Sequence, residues 1–142
     1  MENLSKKQTL RYLKDKIKNI RTALLTTYTN SNGYRSRPLG TADIDKSGNI
    51  WFFTNEYCPK NKDVFTDSTV SVTYSNPDSD AYVNVRGEAE LISDRQKMKE
   101  FWSPFANAFF PKGINDPKLT LIRIRPTNAE YWDSSSIKLF VL

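Results

Sequence analysis

The stretch RTALLTTYTNSNGYRSRPLGTADIDKSGNIWFFTN, residues 21–55, decides the fold. Residues 21–29 are rich in β-branched and aromatic side chains, which fit a pleated, half-buried surface better than a helix. Asn30-Ser31-Asn32-Gly33 is a turn sequence, and YRSRPLGTADI (34–44) returns as a second extended run, so a hairpin is expected. Asp45-Lys46-Ser47-Gly48 makes the next turn and NIWFFTN (49–55) a third strand. Three strands in sequence order make a meander.

Outward from this block the pattern continues. KNKDVFTDS (60–68) reads as a short helix or turn, TVSVTYS (69–75) as a fourth strand, and AYVNVRGEAELIS (81–93) as a fifth after Asn76-Pro77-Asp78. Gly87 inside that fifth run marks a bend or bulge. Asp94 is placed to cap a helical segment over 94–110, where Met98, Phe101, Trp102, Phe105 and Phe109 recur at near-helical spacing; Pro104 kinks it or divides it in two. KLTLIRIRP (118–126) alternates cleanly and NAEYWD (128–133) reads as a further short strand, while SSSIKLFVL (134–142) is ambiguous. On the other side, Leu10, Leu13, Ile17 and Ile20 define the apolar face of a helix over residues 1–20. One domain over 1–142 is expected, mainly β: a barrel of six or seven antiparallel strands with helices inserted.

Composition removes several function classes. The 142 residues contain no histidine, which excludes imidazole general bases, His-metal sites and His-dependent triads. Cys58 is the single cysteine, so no internal disulfide or thiolate cage can form, and without a second thiol to resolve a sulfenic acid a redox-sensor role for it is disfavoured. No apolar run approaches the ~18 residues of a spanning helix, and the first residues lack the apolar core of a signal peptide. A reduced, cytoplasmic setting without membrane insertion is expected. The net charge of +5 lies wholly in residues 1–21, which carry seven basic and two acidic residues against fourteen of each elsewhere. Without interleaved aromatics that excess reads as a solvated helix face, not a nucleic-acid site.

The five glycines are too dispersed for a dinucleotide fingerprint or a P-loop. Phosphate-competent groups instead sit on strands. Arg37, beside Pro38, can fork onto phosphate oxygens; Thr54 ends the next strand; Lys60 follows six residues on.

These residues belong to a wider pattern. Arg37-Pro38-Leu39, Trp51-Phe52-Phe53-Thr54, Cys58-Pro59-Lys60, Asp94-Arg95, Phe110-Pro111-Lys112-Gly113, Asp116-Pro117 and Glu130-Tyr131-Trp132-Asp133 occur in that order. In order and spacing the chain resembles the pyridoxamine phosphate oxidase-like, FMN-binding split barrels, and within them the general stress protein 26 branch. The resemblance implies a homodimer holding FMN at its interface, with FAD or a deazaflavin as alternatives and a small-molecule substrate it does not name. Carried over, Arg37 and Lys60 would pair with the flavin phosphate and Thr54 and Cys58 would face it. Pro38, Leu39 and Phe53 would complete the cofactor surround, and Trp132 would approach the flavin from the other subunit. No metal is implied.

The departures bear on the reaction. Cys58 stands where the family places a serine that donates to phosphate, and a thiol is the weaker donor. Pro59 replaces an arginine of the true oxidases, and Tyr82 stands roughly at their glutamine. Their carboxyl-terminal Arg-Leu-His-Asp-Arg segment has no counterpart in SSSIKLFVL. The expectation is a flavin-dependent oxidoreductase that does not oxidise pyridoxamine phosphate, with a non-catalytic flavin-binding or partner-binding stress-response module as the alternative.

Overall fold

A computed structural model describes residues 5–56 and 68–142; the helix or turn expected at 60–68 falls outside them, Ser68 aside. Helix α1 (Lys6–Ile17) leads into strands β1 (Thr22–Thr29), β2 (Gly33–Ile44), β3 (Ile50–Thr54), β4 (Thr69–Asn76) and β5 (Ala81–Ile92). Helices α2 (Arg95–Phe101) and α3 (Ala106–Phe109) follow, then β6 (Thr120–Trp132) and β7 (Ile137–Val141). All pairings are antiparallel, in the order β3-β2-β1-β4-β5-β6-β7, and β3 also pairs with β6. That last pairing, Ile50 with Ile124 through Thr54 with Thr120, closes six strands into a barrel. Closure leaves β3 without a free edge.

The expected hairpin and meander are present. One expectation further along needs correction, and one open stretch is resolved. KLTLIRIRP and NAEYWD are one strand, not two, and the ambiguous tail forms β7. Proline normally interrupts a ladder because it has no N–H to donate. Here Pro126 lies opposite Gly87 at a register shift, where the chain bulges and β6 continues through it. Gly87 is needed there: a Cβ would run into the Arg125 carbonyl, its carbon 2.9 Å away. Gly87→Ala is expected to cost about 1–3 kcal/mol as an overpacked contact, read as a lower urea midpoint at unchanged slope.

Two faces of β3 feed two apolar clusters, which is why IWFFT is a continuous apolar run instead of an alternating one. Ile50 and Phe52 point into the barrel, where Leu25, Val72, Val85 and Ala129 form a cross-strand row. Trp51 and Phe53 point outward beneath the segment of α2 and α3, packing on Met98, Leu119 and Leu121. Pro104 divides that segment in two. α1 places Leu13 and Ile17 against the barrel core and turns its lysines to solvent. Its Ser5–Gln8 capping box closes the first turn.

Candidate functional site

Strand parity decides where polar groups of β2 can go. Arg37 pairs with the fully buried Leu25, so its side chain belongs to the barrel-inward face, near the open end. Continuing the Thr41–Phe52 register four residues brings it opposite Glu56, two residues beyond β3. Arg37 is 8% exposed, and its guanidinium is heavily engaged. Nη1 donates to Thr27 Oγ1 at 2.7 Å and to the Arg35 carbonyl at 3.0 Å, and Nε donates to Glu56 Oε2 at 3.1 Å. Arg35 grips the other Glu56 oxygen, so two guanidiniums share one carboxylate. Thr54 is buried beside them, and its Oγ1 accepts from the Glu56 N–H at 3.2 Å. Burial draws the Arg37 proton affinity below its ordinary value, Glu56 opposes this, and Arg35 adds to it. The group stays a cation at any physiological pH.

Beside this fork β1 and β4 part company after the Thr26–Ser71 pair. The gap is a crevice of about 330 Å³ lined by Thr26, Thr27, Tyr28, Tyr34, Ser71 and Arg86, among others. Thr27 belongs to both places, lining the crevice while accepting from Arg37. The two-cation fork, joined through Thr27 to a crevice lined by hydroxyls, tyrosine rings and Arg86, suits a ligand with an anionic tail and a flat polar body.

The residues singled out in the sequence divide between this mouth and other places. Arg37 and Thr54 meet there. Leu39 packs against the barrel core, and Pro38 is exposed on the outer sheet surface. Phe53 turns its ring to the opposite side of β3, 5.2 Å from Trp102 and 6.3 Å from Phe110. Cys58 and Lys60 lie outside the described residues. Trp132 is twelve residues along β6 from Thr120, roughly 40 Å of strand, so within one chain it is remote from the fork.

Trp132 has instead a place on a broad outer sheet surface. The register sets Ile137, Trp132 and Tyr82 side by side, and Leu139, Glu130, Asn84, Thr73, Leu24 and Pro38 in the next row. Leu24, Tyr82, Ile137, Leu139 and Val141 are all exposed. The charges on these rows are few: Glu130 faces Arg86 at 3.5 Å. Five exposed large hydrophobic side chains on one sheet surface make it a candidate contact area.

Several motif residues are explained by the fold. Asp94 caps α2 by accepting from the Lys97 N–H, and Arg95 donates to the Ile114 carbonyl at 2.9 Å, tying α2 to the loop before β6. Asp116 accepts from the Lys118 N–H within that loop. Asp133 gathers Ser135 and Ser136 N–H groups and the Tyr131 hydroxyl at the β6–β7 turn. Those hydrogen bonds hold its carboxyl far below the usual carboxylate range. Asp45 organises the β2–β3 turn: burial pushes its carboxyl up, but donors from Trp51, Asn49 and Ser47 outweigh that and lower it.

Thr27, Arg35 and Glu56 escaped sequence reasoning. Arg35 carried a usable signal, since it shares parity with Arg37 on one strand. Glu56 carried none, because only the β2–β3 register brings it to the guanidiniums. Among the described residues no group of histidine, cysteine or carboxylates is arranged to hold a metal, and no helix is long and apolar enough to cross a membrane.

Known proteins share this architecture. The family described as pyridoxamine 5'-phosphate oxidase like matches residues 8–142. Protein bli-3 of Neurospora crassa is 25% identical over 119 residues, covering 77% of this chain but 57% of that protein, so this chain spans little more than half its length. A solved protein from Clostridium acetobutylicum, related to general stress protein 26 of B. subtilis and of the pyridoxinephosphate oxidase family, superimposes with TM-score 0.79. Its identity is 14%, over 97% of both chains. The general stress FMN/FAD binding protein of Xanthomonas citri does so with TM-score 0.70 and 24% identity, over 97% of this chain and 96% of that one. With a family match over nearly its whole length and the same barrel in these structures, the chain belongs to the pyridoxamine 5'-phosphate oxidase like family.

Proposed function

We propose that this protein is a homodimeric flavoprotein that binds FMN at the barrel mouth, phosphate on the Arg35–Arg37 fork and flavin along the crevice between β1 and β4. The observation that carries this reading is the Arg37 guanidinium, buried beside a second guanidinium, with the two of them holding one oxygen each of a single carboxylate. Burying a cation is costly unless an anion compensates it, and a phosphate monoester brings a larger negative charge than the carboxylate, about −1.5 to −2 at neutral pH, on three acceptor oxygens. Hydroxyls of Thr27 and Thr54 supply the remaining hydrogen-bonding capacity. Lys60, and more weakly Cys58, are assigned to the same phosphate. The FMN/FAD binding character of the Xanthomonas citri protein supports the flavin class.

A bound flavin supplies hydride and electron transfer at its ring. The chain's own contribution is binding, orientation and exclusion of water: guanidiniums neutralise the tail, and the β1–β4 crevice sets the ring's direction. Apart from the paired Glu56, the groups at the fork are donors and not general bases, so no proton transfer is assigned to a side chain. The reading is of a cytoplasmic oxidoreductase other than a pyridoxamine phosphate oxidase. Turnover separates it from a module that only holds flavin: protein-bound reduced flavin should pass electrons to an acceptor faster than free flavin does.

The second copy is assigned to the exposed rows around Leu24, Tyr82, Leu139 and Ile137. Self-association there would cover these aliphatic groups and carry Trp132 of the partner subunit toward the crevice. Replacing Ile137 and Leu139 together by aspartate is expected to halve the solution mass measured by light scattering and to weaken FMN retention, because each crevice then loses its second wall. A wild-type protein that is monomeric with FMN bound overturns the shared-site part of this reading.

A further inference from the structure

We propose that Glu56 is a displaceable internal anion which occupies the phosphate fork and sets how strongly the site discriminates for phosphate-bearing ligands; this rests on the flavin reading above. Glu56 holds Arg37 through Nε at 3.1 Å and Arg35 on its other oxygen, spanning both cations as a phosphate would. Its backbone N–H is anchored to Thr54 Oγ1, so the carboxylate is delivered from the end of β3 without a long loop to order. The Glu56 side chain keeps 31% of its surface exposed, whereas that of Arg37 keeps 10%, so the carboxylate is the mobile partner and can swing to water while the guanidinium stays. Any ligand that needs the fork must displace it. A ligand without phosphate need not.

Competition of this kind lowers apparent affinity by the fraction of time the fork is free, so a fork held by Glu56 nine parts in ten weakens phosphate-bearing ligands about tenfold. Glu56→Gln keeps size and an acceptor oxygen for Arg37 but removes the charge. In fluorescence titrations, E56Q is expected to bind FMN about tenfold more tightly than wild type, with riboflavin affinity unchanged. Inorganic phosphate is the independent probe: it should raise the melting temperature of E56Q more than that of wild type, and should lose this effect when Arg37→Ala is added. Equal FMN affinity in wild type and E56Q, or equal gains for FMN and riboflavin, overturns the competition while leaving flavin binding intact. If neither protein binds FMN, the flavin reading fails, and the phosphate-induced shift alone then decides whether Glu56 guards an anion site.

Discussion

Arg37→Ala is expected to lower FMN affinity by roughly ten- to hundredfold while leaving riboflavin affinity within about twofold, since hydrogen bonds to charged groups contribute about 1.5–3 kcal/mol. The contrast between the two ligands matters more than the loss itself. FMN and riboflavin share ring and ribityl chain and differ in the phosphate, so a change confined to FMN locates the guanidinium at the phosphate. Truncation leaves Thr27 without this donor but keeps Glu56 paired with Arg35, and it relieves the desolvation of a buried cation. The melting temperature should therefore move little. Arg37→Lys keeps the charge but loses the planar fork that reaches Thr27 and Glu56 together, and it should fall between wild type and alanine. Isothermal titration of the three proteins with both ligands reads all of this.

Phe52→Ala carries the largest expected stability loss, about 3–5 kcal/mol for a large aromatic removed from a closed core. Phe52 is fully buried and lies on the strand that closes the barrel, opposite Thr41 on β2 and Ile122 on β6. The cavity would open where two sheet edges meet, and both neighbouring strands are held by their own ladders, so collapse into the void is limited. For a chain of this length the loss corresponds to a fall in melting temperature of about 10–20 °C. Glu100→Gln, on the exposed side of α2, serves as the control and should stay within about 0.5 kcal/mol of wild type. A Phe52→Ala protein that melts within a few degrees of wild type would mean that β3 is not the closing strand.

What could be read in the sequence follows from how local each feature is. β1, β2, β4 and β5 announce themselves by alternation and by turns such as Asn32-Gly33, whose glycine takes a φ of +68°. β3 shows as a strand, but its pairing with β6 joins residues some seventy positions apart, and no local pattern encodes it. Pro126 concealed the unity of β6, because the compensating Gly87 sits on another strand. β7 concealed itself differently: Ile137, Leu139 and Val141 are apolar yet exposed, while Phe140 between them packs inward, so both faces look apolar and no period emerges. At the site, Arg37 and Thr54 were legible from residue type and strand position. Arg35 could have been added from its shared parity with Arg37, but Glu56 could not, because only the β2–β3 register brings it to the guanidiniums. The same limit placed Phe53 with the cofactor on motif grounds, although its ring faces the second cluster.

The measurement that bears most directly on the central claim is the visible absorbance of the purified protein after incubation with FMN and removal of unbound ligand. The account predicts a retained flavin spectrum at about one FMN per chain, absent after the same treatment with riboflavin, since charge-assisted phosphate contacts supply much of the affinity. A protein left colourless by FMN would contradict it.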